Sequence, residues 1–201
     1  MVSVCCGAEY GEELLDIAEI DARMQINDVI FRYCRGLDRM DKALTLSCWH
    51  PDGTDDHGKL YSGSAEGFVE WIWPVHQAMV ATRHMVVNIQ IAVHGDWAGC
   101  ESYAWLILRI PRGDEVYECN FYSRYLDRFE LIDGLWKIRH RTQVRDFARY
   151  ERIGANVEPP PGAPLIMPSN PDGTGMTASR DHNDPSFEIV YGKPAEWRRN
   201  W

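Results

Sequence analysis

The chain has 201 residues, 45% of them hydrophobic, with eight Trp and a formal net charge of −9. That length and apolar content suffice for one substantial core and require no second. The acidic balance excludes nucleic acid and anionic membrane as main partners, because phosphate binding depends on clustered Lys and Arg.

Six cysteines, at 5, 6, 34, 48, 100 and 119, show no CxxC or zinc-type spacing and fall largely in apolar runs. They read as reduced packing residues. The opening MVSVCCGAEYGEE lacks a basic n-region and a long apolar run, and no stretch reaches membrane-spanning length. The expectation is a soluble, cytoplasmic protein that is not exported.

Residues 1–10 read as a loose arm, and Gly11 to Leu37 carries helical periodicity, with Ile26, Val29/Ile30, Tyr33/Cys34 and Leu37 at three- and four-residue steps. Asp38 follows Cys34 by four residues, which puts its carboxylate on the same stripe, near a helix C-terminus where negative charge is disfavoured. Two readings stand: a carboxylate placed there for function, or a turn cap paired with Arg35 or Arg39. A second helical segment from Lys42 to Trp49 runs into HPDGTDDHG, where Pro51 and Gly53 predict a turn. His50, Asp52, Asp55, Asp56 and His57 are the densest group of possible metal ligands, yet their spacing matches no established motif, so no metal is expected. A short strand is expected near Lys59 to Tyr61, then a third helix from Ser64 to Met79 with Phe68, Trp71/Ile72, Val75 and Met79 on one stripe.

Three β segments follow, Thr82 to Val93, Gly99 to Ile110 and Val116 to Ile132, and a last one runs from Leu135 to about Arg145. Helices first and sheet second predict an α+β fold. Asp133-Gly134, between two long aromatic and β-branched runs, predicts a hairpin. In the first segment strict alternation puts His84, Val86, Asn88 and Gln90 on one face and Met85, Val87, Ile89 and Ile91 on the other. The polar set is either solvated or turned into a cavity. Tyr103 and Trp105 share a face of the next strand, as do Asn120 and Tyr122 of the one after. From Gly154 the periodicity stops, and eight of the eleven prolines lie beyond it. The expected organisation is a domain over 1–153 and an irregular, Pro-rich extension over 154–201 that wraps a neighbouring surface, of this domain or of another subunit.

The motifs YCRGLD, HPDGTDDHG, TRHMVVN, ESY, SRYLDRFE and DGLWKIRHR, in this order, resemble the SnoaL-like branch of the nuclear-transport-factor-2-like superfamily, which includes scytalone dehydratase and hexachlorocyclohexane dehydrochlorinase. The resemblance covers about residues 12–150. It implies a cone-shaped α+β barrel, three N-terminal helices on a curved, mostly antiparallel sheet. It also implies an Asp–His dyad, which by position is Asp38 and His84, and an Arg at the position of Arg141. Tyr33 stands where the dehydrochlorinase has Lys, so halide abstraction does not carry over.

A carboxylate bonded to one imidazole nitrogen fixes the tautomer and leaves the other free to take a proton, which is a base for elimination. The expectation is a cofactor-free, dehydratase-type lyase, with carbon–carbon cleavage through a quinone methide as a further outcome on phenolic substrates. Its expected catalytic residues are Asp38, His84, Arg141 and Tyr33. Trp49, His57, Trp71, Tyr103, Trp105, Asn120 and Tyr122 are the expected contacts to a hydrophobic, aromatic substrate. Isomerase or cyclase chemistry, and a non-catalytic binding or assembly module, are the alternatives. A homo-oligomer, dimer or trimer, is the expected assembly. The Trp136 and Ile138 alternation opposes Arg141, and a β-bulge between Ile138 and Arg141 would turn Arg141 towards the cavity.

Overall fold

In the computed structural model, which describes residues 16–153 and 178–191, the first helix begins at Ile17, later than the periodicity suggests. Asp16 sets that start, because its carboxylate accepts the Glu19 amide at 2.7 Å and satisfies a donor that a helix N-terminus leaves open. Helix α1 (Ile17–Asp38) buries Ile26, Val29, Ile30, Tyr33, Cys34 and Leu37 along one stripe. The expected second helix is shorter, α2 (Lys42–Leu46), capped by Asp41 through the Leu44 amide at 2.9 Å. The two helices meet at Gly36, where an added Cβ would stand 2.9 Å from the backbone nitrogen of Thr45.

HPDGTDDHG, expected as a turn, lies mostly inside strand β1 (Trp49–Asp56). Its turn chemistry is used within the strand: Trp49 pairs with Ile138 and Thr54 with His140, so residues 50–53 bow out opposite Arg139 alone. Strand β2 (Ser62–Ser64) falls just after the expected Lys59 to Tyr61. Helix α3 (Ala65–Gln77) starts on Ser64, whose hydroxyl accepts the Gly67 amide at 3.1 Å.

Four long strands complete the sheet: β3 (Ala81–His94), β4 (Trp97–Arg112), β5 (Glu115–Ile132) and β6 (Leu135–Ile153). The order is β2-β1-β6-β5-β4-β3, with β1 parallel to β6 and every other pair antiparallel. Asp133 (φ 53°) and Gly134 (φ 76°) both take the left-handed conformation, which a two-residue turn needs to match the twist of its strands. The helices pack on one face of this curved sheet, which stays open, with β2 and β3 at its edges. This is the expected α+β cone, and its core lies where Ile26, Ile30, Val69, Phe129 and Ile138 meet between helices and sheet.

Three bulges interrupt the sheet. Asn88 (φ 51°) and Ile89 together oppose Ser102, Arg139 is inserted opposite the Arg128/Phe129 step, and Asp146 opposite the Tyr122/Ser123 step. Each exchanges the faces beyond it. After the first, Ile89 and Ile91 pack against the core while Asn88 and Gln90 are exposed, so the polar set expected on one face is split and only His84 of it turns inward.

Of the C-terminal extension, 178–191 is described, and it is more regular than expected, because helix α4 (Pro185–Tyr191) forms within it. It lies against α1, with the Phe187 ring 4.6 Å from the Arg35 guanidinium carbon and Asp184 3.3 Å from Arg39. The apolar clusters at Leu165 to Met167 and at Trp197 and Trp201 lie outside the described residues. The close approach at Gly36 gives a first prediction: Gly36→Ala should cost on the order of 1–3 kcal/mol through overpacking against Thr45, read as a lower midpoint in thermal unfolding.

Candidate functional site

Between the concave face of the sheet and helices α1 and α3 lies a cavity of about 230 Å³. Its walls are mostly apolar, with Leu106, Leu108 and Ile110 from β4, Phe121 and Tyr125 from β5, and Phe68, Trp71 and Ile72 from α3. Three imidazoles face it, those of His57, His76 and His84, together with Tyr33 from α1. Few polar groups in an apolar cleft is the usual composition of a small-molecule site.

His84, near the start of β3, is 9% exposed and is bonded twice to Asp38 at the end of α1. Its backbone N–H donates to Asp38 Oδ2 at 2.9 Å, and its ring Nδ1 lies 2.6 Å from Asp38 Oδ1. Burial pushes the Asp38 carboxyl up, but the His84 charge, these two hydrogen bonds and the Thr82 hydroxyl outweigh it and hold the carboxyl below its ordinary value. A carboxylate can only accept, so Nδ1 carries a proton, and in the neutral ring the lone pair is on Nε2. Asp38 sits behind His84, lining a separate, more open groove with Phe31, Arg35 and Arg39.

A second pair faces the same cavity from the other edge of the sheet. His57 Nδ1 is hydrogen-bonded to Asp55, which is 1% exposed, and the His57 ring stacks on Phe68 at 4.5 Å. The other His and Asp side chains of that segment are engaged elsewhere: His50 with the Glu130 carbonyl at 2.9 Å, Asp52 with Arg139, and Asp56 with the Gly58 amide at 2.8 Å. His76 is the third imidazole, its ring centroid 5.5 Å from that of His84. Burial, then the charges of His84 and Arg180, push it down to about 3, so it is neutral throughout the physiological range. His76 is not among the residues expected at the site, although its four-residue step from Phe68 and Ile72 places it on the buried stripe of α3.

Arg141 is fully buried, and its fork donates to Asp127 through Nε to Oδ1 and Nη2 to Oδ2, both at 2.7 Å. The rings of Tyr33 and Tyr125 stand over it, each with its centroid 4.2 Å from the guanidinium carbon. The bulge at Arg139 explains how Ile138 and Arg141 both turn inward. The expectation that Arg141 reaches into the cavity is corrected, however: two tyrosines that line the cavity cover it, and Asp127 uses its charge. Burial raises the Tyr33 hydroxyl well above its ordinary value, with Arg141 opposing, so Tyr33 remains a neutral phenol.

The fold has known counterparts. Residues 18–142 match the SnoaL-like domain family. The chain belongs to that family. Among solved structures it is similar to a protein assigned as a scytalone dehydratase from Novosphingobium aromaticivorans DSM 12444, at 18% identity and TM-score 0.59, covering 65% of this chain and 87% of that one. It is also similar to a type 2 hexachlorocyclohexane dehydrochlorinase, at 17% identity and TM-score 0.62, covering 74% and 99%. The type 3 dehydrochlorinase from Novosphingobium barchaimii LL02 gives 15% and 0.62, covering 73% and 100%. Identities this low establish the fold alone. No curated protein matches, and no helix among the described residues is long and apolar enough to cross a membrane.

Several residues expected at the pocket of this SnoaL-like chain lie elsewhere. Tyr103 and Trp105 point to the outer face of β4, since the inward positions belong to Leu106, Leu108 and Ile110. Trp105 stacks there on Tyr122 at 5.7 Å, Tyr122 on Phe147 at 4.5 Å, and the Trp105 indole donates to Asn120 Oδ1 at 2.8 Å. Trp49 is core, edge-on to Tyr33 at 5.2 Å. Of the expected substrate contacts, His57 and Trp71 do line the cavity.

Two outcomes follow for this SnoaL-like core. Arg141→Met strands the Asp127 carboxylate in the interior and should destabilise the fold by about 3–5 kcal/mol, measured by denaturant unfolding. His76 takes a proton in the unfolded chain near 6.5 but in the folded one only at about 3. Its contribution to stability is therefore full above 6.5 and is lost as pH falls through that window. His76→Phe should flatten the slope of unfolding free energy against pH between about 6 and 4, and an unchanged slope would refute the assignment.

Proposed function

We propose that this SnoaL-like protein is a cofactor-independent lyase of the dehydratase type, acting on a hydrophobic, aromatic small molecule. One observation carries the reading: the Asp38–His84 pair stands at the wall of an apolar cavity with Nδ1 bound to the carboxylate and Nε2 left as a base. His84 takes a proton from the carbon next to the one that bears the leaving hydroxyl. Asp38 stabilises the imidazolium that forms. The electron pair of the broken C–H bond becomes the new π bond as the C–O bond breaks, and hydroxide leaves as water on protonation. His57, held by Asp55 on the opposite wall, supplies that proton, and the neutral Tyr33 hydroxyl donates a hydrogen bond to the departing oxygen. Arg141 acts through Tyr33, as a positioning residue. Four free, buried cysteines among the described residues suit a reducing compartment, and we place the protein in the cytoplasm.

The test is a dehydration assay on a panel of aromatic alcohols with an acidic neighbouring C–H, followed by ultraviolet absorbance of the alkene. Asp38→Asn and His84→Gln should each lower kcat by ~10²–10⁴-fold, the usual contribution of a positioned base, while circular dichroism stays native. Turnover should also survive exhaustive chelation. Wild-type rates in His84→Gln, or an activity lost to chelator and restored by a divalent ion, would sink the proposal.

A further inference from the structure

Five arginines lie on β6. Four meet carboxylates: Arg139 with Asp52, Arg141 with Asp127, Arg149 with Glu151 and Arg152 with Glu115. The fifth, Arg145, meets none among the described residues, although its chain neighbour is an aspartate. Asp146 is the inserted residue, and its carboxylate goes to Arg124, 3.1 Å away. Arg145 stays level with Ser123 and lines the cavity beside Gln143, its guanidinium carbon 5.0 Å from the Phe121 ring centroid.

An unmatched cation at this position is chemically selective. Gln143 and the Arg145 fork are the polar groups that β6 offers to the cavity, and the wall between them and the histidines is Phe121, Tyr125 and leucines. The whole chain carries a net charge of −9, so its general field repels anions, and only a local, uncompensated donor can hold one. A planar guanidinium lying on an aromatic face presents two parallel N–H groups, the geometry that carboxylates accept. His57 follows directly on β1, which is hydrogen-bonded to β6, so an anion at Arg145 brings the rest of a small aromatic molecule between His57 and His84.

We infer that Arg145, with Gln143, is the specificity-determining contact for an anionic substrate, and that the cavity takes an aromatic carboxylate whose charged end binds Arg145 while its reacting carbons lie at His84. This rests on the reading of the cavity as the substrate site. Arg145 touches no reacting atom, and its role is to choose and orient the molecule.

The experiment is calorimetric titration of the full chain with 3-phenylpropionate and, as the neutral isostere, 3-phenylpropionamide, at low ionic strength. Wild type should bind the acid at least about tenfold more tightly than the amide, as a charge-assisted, forked pair allows at low ionic strength. Arg145→Met should abolish that preference and leave the amide's Kd unchanged, and Arg145→Lys should keep part of it, since charge remains but the fork is lost. Binding of the acid no tighter than the amide by wild type, including binding of neither, overturns the inference. So does a preference that survives Arg145→Met. The two proposals fail separately: Asp38→Asn leaves the acid preference intact if the anion site is right, whatever becomes of turnover, and loss of the preference in Arg145→Met says nothing against His84 as the base.

Discussion

A guanidinium with no exposure to solvent sits at the centre of the domain, and much of the site is built on it. Arg141 can be buried because Asp127 takes both of its parallel N–H groups and because two tyrosine faces replace the water it lost. The consequence runs outward. Tyr33 and Tyr125 are fixed against the cation, edge to face with each other at 5.8 Å, and their far sides form part of the cavity wall. A charge that is walled off from the cavity thereby sets the position of two residues that line it. An apolar replacement of the pair could be as stable, but it would not hold two phenols at a fixed distance from a fixed charge.

The three imidazoles show how environment divides labour among identical groups. His84 has a carboxylate on Nδ1, which fixes its tautomer and leaves Nε2 facing the cavity. His76, about 5.5 Å away, has no such partner: its Nδ1 is buried without a hydrogen bond among the described residues, and burial with the neighbouring positive groups keeps it neutral. A neutral, apolar-walled neighbour keeps water from His84 without competing for its proton. His57 has its own carboxylate and stands just past the end of β1. Two carboxylate-backed histidines thus line one apolar cavity from opposite edges of the sheet, the arrangement that the proposed elimination uses.

The sequence was legible wherever one local rule decided the outcome. The stripe of α1 and the Asp133-Gly134 hairpin follow from spacing and turn chemistry, whereas alternation left the face of His84 open and only the family resemblance implied its inward turn. For Asp38 the spacing left a functional carboxylate and a turn cap paired with Arg35 or Arg39 both open, and the family resemblance supplied the partner that the structure shows, the His84 ring and amide. Alternation failed where it had to be carried across a bulge or where the inward face had to be guessed. Tyr103 and Trp105 were expected inside because aromatics often line pockets, yet β4 presents Leu106, Leu108 and Ile110 on that side, and the aromatic set stacks across strands on the outer face. Trp49 was expected at the pocket and is core, because Tyr33 lies between it and the cavity. HPDG looked like a turn between elements and proved to be a bow within β1, a distinction that depends on the partner strand and cannot be read locally.

The bulges also explain how an apolar sheet face acquires polar residues at chosen points. Without the extra residue at Arg139, Ile138 and Arg141 would face opposite ways, and either the core would lose an isoleucine or the tyrosines would lose their cation. Without the one at Asp146, Arg145 and Phe147 would share a face, and the arginine could not enter the cavity while the phenylalanine joined the outer stack on Tyr122. The step at Asn88 does the same for β3, keeping His84 inside and sending Gln90 out while Ile89 and Ile91 seal the core. Each insertion costs local pairing and, at Asn88, a left-handed backbone that few side chains tolerate. That cost falls beside His84, Arg141 and Arg145, the residues that an unbroken period of two could not have brought to the concave face together with the hydrophobic wall. The register breaks are therefore part of the site, since moving any one of them by a residue would empty it of a polar group and put a charge or an amide into the core.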